Sequence, residues 1–196
     1  MVAEHAVVVT GTRRFIPQSV YRPYSDDHWL RYVREVQLKE PIFFYSSQPV
    51  EWGVSLEDAL KARPEYLKDK DERMFIGCGP SVSIRLQWPG YHPWAKQIST
   101  MEFKTPKQPI TKAKLAKNIA NCVRHFIEIE KQAMDADVNR RWRVGKRNIK
   151  VEDLMLVSLH HVSKGSWQPQ LRLRRPLLEL ALPHHQDSTF ASSSAS

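Results

Sequence analysis

Apolar and polar residues alternate most strictly from Ser81 to Trp88, where Val82, Ile84, Leu86 and Trp88 interleave with Ser81, Ser83, Arg85 and Gln87. Successive side chains of a strand point to opposite faces, so this run predicts a strand buried on one face and wet on the other. Gly77-Cys78-Gly79-Pro80 before it and Pro89-Gly90 after it are turn sequences. A different period governs the stretch after Pro109. Leu115, Ile119, Cys122, Val123, Phe126 and Ile127 recur at three- and four-residue steps, with Lys117, Asn118, Asn121, Arg124, Glu128 and Lys131 opposite them. That spacing predicts an amphipathic helix over about residues 112–134, capped at its start by Thr111.

Two β-rich runs near the C-terminus, Ile149 to Leu159 and Trp167 to Leu173, flank Lys164-Gly165 and predict a hairpin with a loop of moderate length. Ile42 to Tyr45 is a further strand. Ser55 and Asp58 form a capping pair for a short helix ending before Pro64. Ser25-Asp26-Asp27 opens another helix, whose buried face is Trp29, Leu30, Val33 and Val36 and which Pro41 stops. Ala6 to Thr10 reads as a short buried strand, the stretch with Pro17 and Pro23 as a loop over the surface, and Pro64 to Arg73 as a solvated charged loop. The segment holding Tyr91, Trp94, Ile98 and Phe103 fits no single period. Leu177 to Leu182 is a last short element, and residues 183–196 a disordered Ser-rich tail.

These elements predict one α+β domain over residues 1–182. Its small, mostly antiparallel sheet is built from about residues 42–45, 82–88, 151–159 and 167–173, with the long helix packed across one face. A chain of 196 residues with 41% hydrophobic and 26% charged residues supports such a core. No segment approaches the roughly 20 apolar residues of a membrane span. The run Ala6 to Val9 is too short for a signal-peptide core and follows Glu4 instead of a basic stretch. Two cysteines, Cys78 and Cys122, are too few for a zinc cage and fit a reduced, intracellular protein, cytoplasmic or nuclear.

Charge changes the picture more than composition does. The net charge is +9, yet residues 1–100 carry 13 cations against 12 anions, and residues 101–196 carry 17 against 9. The excess gathers in Arg140, Arg141, Arg143, Lys146, Arg147 and Lys150 around the indole of Trp142. Cations around one aromatic ring suit nucleic acid, the cations holding phosphates while Trp142 stacks on a base; the same cluster suits an acidic protein or an import receptor. The alternative is a flexible, solvated connection paired with Asp135, Asp137, Glu152 and Asp153.

Catalytic signals are thin by comparison. Val8-Val9-Thr10-Gly11 looks like the start of a dinucleotide-binding turn, but Arg13-Arg14 follow and the next glycine is Gly53. An enzyme here would use Cys78 between its two glycines, with His92, His125, His160 or His161 as base, and no spacing nominates one. Cys122 lies on the apolar face of the helix, as a packing residue. His160 and His161 are adjacent on a strand and would face opposite ways, and His184-His185 fall in the tail, so no metal or cofactor is expected. Trp88, Tyr91 and Trp94 in Trp88-Pro89-Gly90-Tyr91-His92-Pro93-Trp94 can line a groove for an extended peptide or pack in the core.

Two stretches resemble a lineage-expanded group of uncharacterised proteins from mushroom-forming (basidiomycete) fungi. One is Arg85-Leu-Gln-Trp-Pro-Gly-Tyr91 with Trp94, Gln97-Ile98 and Pro109-Ile-Thr-Lys-Ala-Lys-Leu-Ala-Lys-Asn-Ile-Ala120. The other is Leu156-Val-Ser-Leu-His-His-Val-Ser-Lys-Gly-Ser-Trp-Gln-Pro-Gln-Leu171. The resemblance spans about residues 80–173 and implies a small α+β domain in a eukaryotic, intracellular protein; it carries over no activity, cofactor or catalytic residue. The reading that results is a non-enzymatic interaction module that binds a macromolecule, acidic protein or nucleic acid, through the basic surface of its C-terminal half.

Overall fold

The computed structural model describes residues 15–23, 25, 29–34, 36–63, 65–129 and 140–175. The strand expected at 6–10, the element at 177–182 and the tail lie outside the described residues, as do Asp26, Asp27, Asp135, Asp137 and the His184-His185 pair.

At the centre stands the predicted hairpin, β7 (Leu154–Ser163) and β8 (Ser166–Leu173). Its loop is shorter than expected, only Lys164-Gly165, and Gly165 takes φ +73°, a conformation in which a Cβ is strained. The strand also starts later than the apolar run does, because Val151–Asp153 forms a 3-10 turn first. A bulge between Leu156 and Ser158 shifts the register by one residue. Leu154 and Leu156 before it, and Leu159 after it, therefore sit opposite Leu173, Leu171 and Pro169 on one face. Without the bulge Leu159 would point to the reverse face, which carries Met155, Ser158 and His160.

The sheet order is β1-β7-β8-β5-β6, where β1 is Ile42–Phe43, β5 is Ser81–Leu86 and β6 is Trp94–Ser99; β4 (Val54–Ser55) also pairs with β7. All pairings are antiparallel except β5 with β8, which is parallel and limited to Ser83↔Ser166 and Ile84↔Trp167. The fold is thus α+β with a mostly antiparallel sheet, as the patterning predicted. The expected strand at 42–45 is divided: the chain leaves the edge of β7 after Phe44, forms the small hairpin β2 (Tyr45–Ser47) and β3 (Val50–Trp52), and returns at Gly53. β6 is a strand that periodicity missed, because on the sheet edge Ala95, Lys96 and Gln97 are all exposed and leave no alternation to read.

Beyond Ile84 and Trp167, β5 and β8 part, since Pro169 has no N–H to continue a ladder. The segment expected to lie over the surface fills the gap. Ile16, 4% exposed, donates its N–H to Leu171 O at 2.9 Å. The Gln18 side chain donates to Pro169 O at 2.7 Å and accepts from Gln87 N at 3.0 Å.

Helix α1 (Leu56–Leu60) begins at Ser55, whose Oγ accepts from Asp58 N. Helix α2 (Lys112–Ile129) begins at Thr111, whose Oγ1 accepts from Lys114 N at 3.2 Å; the rest of its expected span to 134 lies outside the described residues. The charged loop before β5 is more than solvated: Leu67 is buried, and Glu72 O and Lys70 O take the first N–H groups of α2 from Lys112 and Ala113. The apolar face of α2 packs on α1, β5, β6 and the turn Val151–Asp153. The helix expected to open at Ser25 is present in part, Trp29 donating its N–H to Ser25 O at 2.9 Å, but its expected buried face is corrected. Among the described residues Leu30–Arg34 is a π-helical turn with no buried residue, tied to the sheet where Lys164 donates its N–H to Tyr32 O at 2.8 Å.

Candidate functional site

The basic segment 140–150 is an ordered loop, held from below by its apolar residues. A 3-10 turn, Arg140–Trp142, opens it. Val144 then pairs with Ile149, and Gly145 at φ +129° turns the chain between them. Trp142, Val144 and Ile149 are all buried. Two side chains from the end of β5 hold the loop: the Trp88 indole N–H donates to Trp142 O at 2.7 Å, and the Tyr91 hydroxyl accepts from Val144 N at 3.0 Å.

This placement corrects one role expected of Trp142. Its ring is 8% exposed and cannot serve as a stacking platform for a base. The peptide groove is corrected as well. Trp88 is 1% exposed, and Trp88, Tyr91 and Trp94 close around Phe126 of α2 at centroid distances of 5.7, 5.6 and 6.1 Å. They form one aromatic cluster in which Trp88 is buried and Tyr91 and Trp94 are half-buried, so Trp88 lines no groove.

The cations fare differently. Arg141, Arg143, Lys146, Arg147 and Lys150 are all exposed. Arg141 lies over the Trp142 ring at 5.2 Å. Among the described residues no carboxylate forms an ion pair with Arg143, Lys146, Arg147 or Lys150. Asp153, one of the expected partners, instead accepts the backbone N–H of Lys150 at 2.9 Å. Arg143, Lys146, Arg147 and Lys150 thus stand exposed with no ion-paired carboxylate among the described residues.

The residues nominated for catalysis are scattered. Cys78 is half-buried and its Sγ accepts from Lys39 Nζ at 3.1 Å; among the described residues no histidine reaches it. Lys39 also donates its backbone N–H to His161 Nδ1 at 2.9 Å, and the imidazole stacks on Trp167 at 4.5 Å. His160 faces the other way, its Nε2 2.8 Å from Ser158 Oγ, which in turn donates to Gln170 Oε1 at 3.1 Å. Burial holds the pKa of both histidines below the ordinary value of 6.5, Lys39 adding to the effect at His161. Sequence reading missed the Ser158–His160 pair, although two residues apart on a strand they share a face. It lacks what acyl transfer needs: Ser158 is 0% exposed, and no carboxylate orients His160 among the described residues. His92 is exposed, and His125 lies tilted against Trp94 at a centroid distance of 6.1 Å.

An open basin of about 600 Å³ lies on the charged loop, between Glu65 and Glu72. Among the described residues no three His, Cys, Asp or Glu side chains are placed to hold a metal ion, and no helix is long and apolar enough to cross a membrane. Fold and surface together define an α+β protein carrying a cationic loop anchored on its core. No protein-family model, curated protein or solved structure matches the chain.

Proposed function

We propose that this protein is an interaction module, acting by binding and not by catalysis, whose basic loop 140–150 docks on an acidic macromolecular partner. One observation carries the reading: Trp142, Val144 and Ile149 are buried under the loop while Arg141, Arg143, Lys146, Arg147 and Lys150 are exposed. A preformed cationic surface loses little entropy on binding and steers an oppositely charged partner toward it. With Trp142 in the core, the loop has no ring left to stack on a base, which favours an acidic protein surface over single-stranded nucleic acid. Two free thiols fit action in a reducing compartment, cytoplasm or nucleus.

The test is capture of partners from the source cell with the full chain, with and without nuclease, beside the variant Arg141→Ala/Arg143→Ala/Arg147→Ala. The expected result is a partner that survives nuclease, releases as salt rises, and binds the triple variant about tenfold or more weakly, at roughly 0.5–1 kcal/mol per exposed pair. A partner lost on nuclease treatment transfers the loop to nucleic acid. A partner retained in full by the triple variant sinks the proposal.

A further inference from the structure

A second cationic feature lies at the other end of β7, at the Lys164-Gly165 turn. It is a cleft of about 420 Å³ on the reverse face of the sheet, where β5, β6 and the Lys164-Gly165 turn meet beneath the segment containing Tyr21 and Tyr32. Two cations, four serines and two tyrosines line it, and among the described residues no carboxylate does.

The wet face of β5 supplies Ser83 and Arg85, and the parallel register sets Ser83 beside Ser166. Arg85 is held on two sides: its Nε donates to Ser166 Oγ at 3.0 Å, and its guanidinium carbon lies 3.8 Å above the centre of the Tyr21 ring. Tyr21 is itself tied down, its N–H donating to Gln168 Oε1 at 2.9 Å. The Nη groups of Arg85 have no carboxylate partner among the described residues. Lys164 enters from the turn, its backbone N–H fixed to Tyr32 O at 2.8 Å. The arrangement is thus a guanidinium held in one orientation, an exposed lysine and serine hydroxyls around a polar space.

We propose that this cleft binds a small phosphate monoester, with the oxyanion on Arg85, Lys164 and the serine hydroxyls and the ester group against Tyr21. A planar fork pairs two oxygens at once, and the ammonium adds a point charge for the remaining one. Three acceptor oxygens with nearly two negative charges fit that donor set, whereas a carboxylate uses the fork alone. The volume falls within the range of small-molecule sites. This inference is independent of the role proposed for the basic loop.

Phenyl phosphate titrated into the isotopically labelled full chain, in a buffer free of phosphate, tests it. The expected result is saturable amide shifts at Ser83, Lys164, Gly165 and Ser166, with benzoate about tenfold weaker. Arg85→Lys keeps the charge and loses the fork, and should weaken phenyl phosphate about tenfold or more. Lys164→Gln, on an exposed turn that tolerates it, should weaken binding severalfold, and Arg147→Ala should leave it unchanged. Shifts that do not saturate, that follow the basic loop, or that ignore Lys164→Gln overturn the site. Benzoate binding as tightly as phenyl phosphate overturns the assignment to phosphate.

Discussion

The indole N–H of Trp88 donates a 2.7 Å hydrogen bond to the backbone carbonyl of Trp142, joining the end of β5 to the basic loop beneath its cations. Both rings are buried, so the bond forms where water does not compete for either group. Trp142→Ala should therefore act as a core deletion and cost about 3–5 kcal/mol in a urea titration. Trp142→Phe should keep most of the stability and all of the loop's charge-driven binding. Trp88→Phe leaves the carbonyl unpaired and should cost about 1–3 kcal/mol. A stable Trp142→Ala variant that loses only binding would return the indole to the surface and contradict this structure.

The two thiols should differ sharply in reactivity. Cys122 is 2% exposed on the inner face of α2, and burial pushes its pKa up to about 11 against a weak opposing pull from Lys96. Its thiolate is scarce at neutral pH and unreachable. Cys78 is half-buried. A disulfide reagent at mildly alkaline pH should modify one thiol per native chain, the second only after denaturant, and Cys78→Ser should abolish the fast reaction. Two thiols reacting at one rate in the native protein would show the helix packed otherwise.

Stability should fall on mild acidification. His160 and His161 are held below 6.5, chiefly by burial, and His161 Nδ1 accepts an N–H that its protonated form could not. For a histidine with a lowered folded pKa the unfolded chain takes up protons first. The contribution is full above the unfolded value, and is lost as pH falls from there toward the folded one. The urea midpoint should drop between about pH 7.5 and 5.5. The double variant His160→Gln/His161→Gln should flatten that slope, and an unchanged slope would place the titration elsewhere.

Two glycines should respond oppositely to alanine. Gly53 sits at φ +102°, and a Cβ there would lie 3.1 Å from Leu156 O, where the chain rejoins β7. Gly53→Ala should cost about 1–3 kcal/mol. Gly79 has open space around its Cβ position. Gly79→Ala should be neutral or gain up to about 1 kcal/mol through the unfolded chain. Thermal unfolding of the pair measures both, and equal effects would deny the close approach of Gly53 to β7.

The sequence alone determined the elements whose burial is one-sided and local. The three- and four-residue steps from Leu115 to Ile127 specify α2, the alternation from Val82 to Leu86 specifies β5, and Thr111 and Ser55 mark where helices begin. It also located the charge, because an uneven count of cations needs no coordinates. Tertiary structure decided everything that depends on which distant residues meet. The bulge beside Val157 that turns Leu159 inward, the Ile16–Gln18 insertion opened by Pro169, the burial of Trp142 under Trp88, and the meeting of Arg85 with Ser166 and Lys164 all leave the local pattern unchanged. Periodicity reports that a side chain has an inside and an outside. It carries no record of strand register or of the partner that covers a face, and those two decisions placed every candidate site in this protein.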